Sequence, residues 1–228
     1  MNLIFEPKPN PVVDISGSEK KFPVNRIYCV GLNYINHVLE FGEDPKKAKP
    51  VYFMKPGDAV LADGLDVPYP THTKNFHYEV ELVVAIGKRA SNIKESEAED
   101  HIYGYAVGND LTRRDMQISL KNKGMPWGPS KGFDKSAPIS AIYPANIIGH
   151  PKKGRIWLSV NGVVKQDSNI DQMIASYSKI IAELSELFVL EPGDLIYTGT
   201  PSGIGAVLAG DQMDAGIDGI GTLRNKVI

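Results

Sequence analysis

The chain has a single cysteine, Cys29, among 228 residues, so no internal disulfide framework can staple it. A lone thiol suits a reducing compartment, and a cytoplasmic protein is expected. Charge of one sign is also missing, since 25 basic residues face 27 acidic ones for a net charge of -2. That balance supplies no positive field for nucleic acid or an anionic membrane, and a small-molecule partner is expected instead. No run of about 18 apolar residues occurs, which excludes a helical membrane span. The N-terminus lacks a basic segment followed by an apolar one, and Pro7, Pro9 and Pro11 would interrupt such a signal. Several catalytic signatures are absent as well. There is no Gly-x-Ser-x-Gly elbow, no P-loop ending, no dinucleotide fingerprint, and no Pro-Cys-x-x-Cys to accompany His77-x-Glu79 as in zinc deaminases.

What is present is ordinary globular material, 42% hydrophobic and 23% charged. Residues 1–22, rich in Pro and Lys, read as an N-terminal extension with room for one hairpin, and residues 23–228 as one catalytic domain. An apolar run at 26–30 and short strands at 51–54, 79–86, 104–108, 155–160 and 194–198 alternate with Gly, Pro and Asp turns. Helices are few. Helical spacing of Met173, Ile174, Tyr177, Ile181, Leu184 and Phe188 predicts one from Asp171, as cap, to Phe188. A shorter one is predicted over 34–41, with Asn33 as N-cap and Gly42 as stop. The fold class is α+β, dominated by strands.

In the run 77–86, side chains alternate, so Glu79 and Glu81 share a face with Val83 and Ala85, while Val80, Leu82, Val84 and Ile86 line the other. A strand apolar on both faces is buried on both, and two carboxylates there repel and lose hydration. A hard divalent cation between them, Mg²⁺ or Mn²⁺ ahead of Ca²⁺, answers the problem; a solvent-facing strand end answers it equally. Asp110 closes the next strand and can supply a third carboxylate. Arg114 and Gln117, three apart, can hold a carboxylate if helical, or belong to a surface turn. Lys131 lies in a Gly- and Pro-rich loop beside Trp127 and Phe133, where it can steady an enolate or remain solvated. His37 and Glu40, at i and i+3, can form an oriented general base or a chance surface pair. The loop 199–205 reads as a carboxylate-binding loop through Thr200 and backbone N–H groups, or as a tight turn. Cys29, in Ile27-Tyr28-Cys29-Val30, reads as packing.

The ordered blocks GLNYINHVLE, FMKP, FHYEVELVVAIG, GYAVGNDLTRRDMQ, PWGPSKGFD and GDLIYTGTPSGIG resemble the fumarylacetoacetate hydrolase family over roughly residues 24–226. Among its members the chain is most similar to the small acylpyruvate hydrolases, fumarylpyruvate hydrolases above all. The resemblance implies a mixed β-roll or barrel, usually a homodimer, in which Glu79, Glu81 and Asp110 bind the metal. It further implies that Lys131 and Gln117 contact substrate, that Arg114 and Thr200 assist, and that His37 and Glu40 are the catalytic pair on a helix ordering over the site. The implied reaction is metal-dependent hydrolysis of a 2,4-dioxo acid to pyruvate and a carboxylic acid, with oxaloacetate decarboxylation or tautomerisation at the same site as the alternative. Two departures stand out: Leu32 replaces a frequent basic residue, and Tyr78 a second histidine found in some members.

Overall fold

The structure is a computed structural model that describes residues 3–40, 42, 44, 45 and 47–228. Its centre is a mixed sheet with the strand order Val51–Pro56, Arg26–Gly31, Leu195–Tyr197, Val80–Ile86, Ile102–Asn109, Ala137–Ile139 and Val60–Ala62. Leu195–Tyr197 runs parallel to Arg26–Gly31, and Ala137–Ile139 parallel to Val60–Ala62, while the other neighbours are antiparallel. Every residue of Val80–Ile86 is buried, as its two apolar faces require.

Those two faces look into two different cores. Val80, Leu82, Val84 and Ile86 pack with Ile156, Leu158, Met213 and Leu223 from a second, four-stranded antiparallel sheet, ordered Val163–Asn169, Arg155–Val160, Gln212–Ile217, Gly221–Lys226. Val83 and Ala85 pack with Cys29, Ala106 and Tyr197 in a smaller core. The N-terminal hairpin, Val12–Asp14 against Lys21–Pro23, closes that smaller core with Val13, Ile15 and Phe22. Cys29 is fully buried there, and burial pushes its thiol pKa well up, so it packs as expected.

Two helix boundaries differ from expectation. The long helix spans Tyr177–Leu187 and is capped by Ser176, whose hydroxyl accepts from the Lys179 N–H at 3.1 Å. Asp171 instead lies in a short 3-10 turn, Ile170–Gln172, where its own N–H is bound by the Asn169 side chain. Ile180, Ile181 and Leu184 are fully buried, each contributing about 1.5–3 kcal/mol, which anchors this helix. The short helix spans Ile35–Glu40. Asn33 does not cap it: its amide donates to Ala175 O and Thr198 O and accepts from the Ala175 N–H, tying three distant segments together. Gly42, at φ 72°, does follow the helix and donates to Leu39 O, whereas Phe41 lies outside the described residues.

Candidate active site

The strand Val80–Ile86 delivers Glu81 to the floor of a cavity of about 410 Å³, and the residue preceding the strand, Glu79, reaches the same floor. Asp110 arrives from the end of the paired strand Ile102–Asn109, its N–H held by Glu79 O at 2.8 Å. One oxygen from each of these three buried carboxylates falls within 4.8 Å of the others. Lys131, on a one-turn helix Gly128–Lys131 where a loop was expected, places Nζ 2.7 Å from Glu79 Oε2 and 2.6 Å from Asp110 Oδ2. Its neighbour Pro129 sits in the first turn, where a missing N–H costs nothing.

Arg114 and Gln117 are buried on one face of the helix Arg114–Asn122. Arg114 donates to Glu79 Oε1 and to Gln117 Oε1. Arg114 therefore braces a floor carboxylate and Gln117 braces Arg114, and both residues line the cavity. Thr200 lines it too, its hydroxyl accepting from the Gln166 amide at 2.8 Å. Beside it, the Gly199 N–H donates to Glu81 Oε2 at 2.7 Å. Gly199 has φ 102°, and a Cβ there would lie 2.8 Å from Asn33 Cβ, so glycine is needed for this backbone to approach the carboxylate.

His37 and Glu40 stand over the floor on the short helix. His37 Nδ1 lies 3.0 Å from Glu40 Oε2, and Glu40 Oε1 accepts from the Gly203 N–H at 3.2 Å. His37 is buried and lines the cavity. Desolvation pulls its pKa below 6.5, although Glu79 and Glu40 both pull it upward. The expected gain in basicity from Glu40 is thus present but outweighed by burial. Leu32, at φ 61°, holds the turn between strand and helix in a conformation unfavourable for a branched residue and also lines the cavity. Its apolar side chain offers no basic contact there.

Electrostatics divide the floor. Burial raises the Glu79 pKa, yet Lys131 and Arg114 outweigh it and hold this carboxyl well below its ordinary range. Burial, reinforced by the negative charges of Asp110 and Glu79, pushes Glu81 well above it. Lys55 Nζ lies 2.8 Å from Asp110 Oδ1 but off the line of a hydrogen bond, and this oxygen is left buried without a donor. A hard divalent cation fits all three facts. It takes oxygen ligands, favours the ionised form of Glu81, and would satisfy Asp110 Oδ1.

Lys55, Gln166 and His77 went unpredicted. Lys55 is buried and bonds the backbone oxygens of Leu111 and Lys131. Gln166 joins the Val80 N–H to Thr200 and Pro201 O. His77, held by Asn75 at 2.8 Å, accepts from Arg114 Nε at 3.4 Å. Burial and the Arg114 charge lower its pKa to about 4, so it braces Arg114 as a neutral ring.

The family profile described as fumarylacetoacetate (FAA) hydrolase C-terminal matches residues 26–228. The chain is similar to the crystal structure of fumarylpyruvate hydrolase from Pseudomonas aeruginosa in complex with Mn²⁺ and pyruvate, with TM-score 0.98 and 48% identity over 100% of this chain and 99% of that one. A fumarylpyruvate hydrolase of a Ralstonia species is 45% identical over 77% of this chain and 91% of its own length. The mitochondrial oxaloacetate tautomerase FAHD1 of Rattus norvegicus is 44% identical over 88% of this chain and 90% of its own length. With nearly the whole length matched and the fold shared, this chain belongs to the fumarylacetoacetate hydrolase family.

Proposed function

We propose that this protein is a divalent-metal-dependent hydrolase that cleaves the carbon–carbon bond of an acylpyruvate, with fumarylpyruvate as the substrate. The observation that carries the reading is the placement of His37, oriented by Glu40, over a floor of three buried carboxylates and Lys131 in one cavity. The similar Pseudomonas aeruginosa structure holds Mn²⁺ and pyruvate, which supports a metal and a pyruvate product here. Glu79, Glu81 and Asp110 would hold Mg²⁺ or Mn²⁺. When bound, that ion would supply Lewis-acid polarisation of the oxo acid.

The chain's own residues account for the rest. Glu40 accepts the Nδ1 proton, which puts the lone pair of the neutral imidazole on Nε2. His37 takes a proton from water as the oxygen attacks the C4 carbonyl, and the C3–C4 bond then breaks. The acyl group leaves as a carboxylic acid and C3 receives a proton to give pyruvate. Lys131 offsets the negative charge that develops on the pyruvate half, and Arg114, Gln117 and Thr200 position the substrate carboxylate. The pair of residues for activating water distinguishes hydrolysis from its alternative. Oxaloacetate tautomerisation or decarboxylation needs an electron sink and proton transfer but no attacking water, and the similarity to the oxaloacetate tautomerase favours the first of these.

The test is an assay of purified protein with Mn²⁺ or Mg²⁺ against acylpyruvates and oxaloacetate. Pyruvate release from fumarylpyruvate well above oxaloacetate turnover is expected. Turnover of oxaloacetate alone would select the alternative. A cytoplasmic location and a homodimer belong to the same proposal. The dimer would give a light-scattering mass near twice the chain's 24.9 kDa, and a mass of one chain would remove it.

A further inference from the structure

The helix Arg114–Asn122 lines the cavity with Arg114, Gln117, Ile118, Lys121 and Asn122. That spacing is one stripe of the helix, running from the carboxylate floor to the mouth. Lys121 stands seven positions after Arg114, about 10 Å along the axis. At the inner end, Arg114 is buried and bonded to Glu79. At the outer end Lys121 is exposed, a cation on the rim. The wall between them is apolar: Ile118, Val51, and the Phe53 and Trp127 rings, packed edge-to-face at 5.7 Å.

A cavity of about 410 Å³ is large for a four-carbon diacid. The arrangement suits an elongated ligand with an anionic group at each end and an uncharged middle. We infer that Lys121 binds a second, distal carboxylate and makes the cavity selective for acylpyruvates whose acyl group ends in one. This rests on the hydrolase reading above and names the residue that sets its substrate class. Lys131 and Arg114 stand beside Glu79 at the inner end of the cavity, whereas Lys121 lies at its outer end, where the far end of an elongated substrate would reach.

The experiment compares fumarylpyruvate, which carries the distal carboxylate, with acetylpyruvate, which lacks it, in Lys121→Met and Lys121→Glu at saturating Mn²⁺. The ratio of kcat/KM for the two substrates should fall roughly fivefold in Lys121→Met, the scale of a partly solvated charge contact, and further in Lys121→Glu. The loss should appear in KM and shrink with added salt. Equal losses on both substrates, or none, would overturn the assignment. Should the wild-type protein hydrolyse neither compound, the hydrolase reading fails separately. Calorimetric binding of the same two compounds to the Mn²⁺-loaded protein then decides the role of Lys121. A preference for the dicarboxylate that survives in Lys121→Glu refutes it.

Discussion

The floor and the lid of the cavity are built in opposite ways. Glu79, Glu81, Asp110, Lys131 and Lys55 are each 5% exposed or less; Glu81 and Lys55 stand on strands of the central sheet, Glu79 and Asp110 at strand ends, and Lys131 on the one-turn helix. The lid is the six-residue helix Ile35–Glu40, whose Ile35 and Leu39 are 45% and 55% exposed. Its C-terminal end is tied down by Glu40, which accepts from the Gly203 N–H. The floor is charge preorganised by the core, where removal of one partner strands another. The lid is a short, locally built element with part of its surface in solvent. Floor changes should therefore cost stability and activity together, and lid changes activity alone.

The largest effect should come from the floor. Asp110→Asn removes a proposed metal ligand and the counter-charge of Lys131 and Lys55, so turnover should fall on the order of 10³-fold or more. Stripping the ion with a chelator should likewise abolish turnover. Restoring the ion at roughly 100 times its Kd should raise the melting temperature by about 5–10 °C. Calorimetry showing the same melting temperature with and without Mn²⁺ would remove the metal from the floor.

At the lid, Glu40→Gln keeps a hydrogen-bonding partner for His37 but loses the charge, and kcat should drop on the order of tenfold with little change in melting temperature. A melting temperature lowered as much as by Asp110→Asn would erase the contrast between the two regions.

The smallest effect is a displacement in pH. The His37 pKa lies below 6.5 because burial outweighs its acidic neighbours. The base is therefore neutral at pH 7, and the acid limb of kcat/KM for the metal-saturated enzyme should fall below pH 6.5. Glu40 raises this pKa, so Glu40→Gln should move the limb to lower pH still. The folded value is depressed relative to the unfolded one. The stability His37 contributes is thus present above pH 6.5 and lost as pH falls toward the folded value. A limb that moves upward in Glu40→Gln would reverse the assigned sign.

The difference between floor and lid also governs what could be read from sequence. The alternation in 80–86 exposes both cores and the shared side of Glu81, Val83 and Ala85 directly, because strand geometry is local. The i, i+3 spacing of His37 and Glu40 is equally local. Lys55 is different: Met54-Lys55-Pro56 looks like any surface strand, and its burial is set by Leu111 and Lys131, 56 and 76 residues away. Asn33 reads as a cap for the same reason, since its partners lie 142 and 165 residues downstream. The apolar spacing at 173 and 174 belongs to a bridge residue and a bend, with Met173 paired to Tyr34, and the helix waits for Ser176.

In the proposed reaction a metal floor and a water-activating base act together, and His37→Ala separates them. Fumarylpyruvate hydrolysis and Mn²⁺ affinity should be measured on the same preparation, by pyruvate release and by calorimetry. Hydrolysis should fall roughly 10²- to 10⁴-fold, the usual worth of a general base, with Mn²⁺ affinity retained. Hydrolysis within a few fold of wild type, at the same Mn²⁺ affinity, would contradict the assignment of His37 as the base.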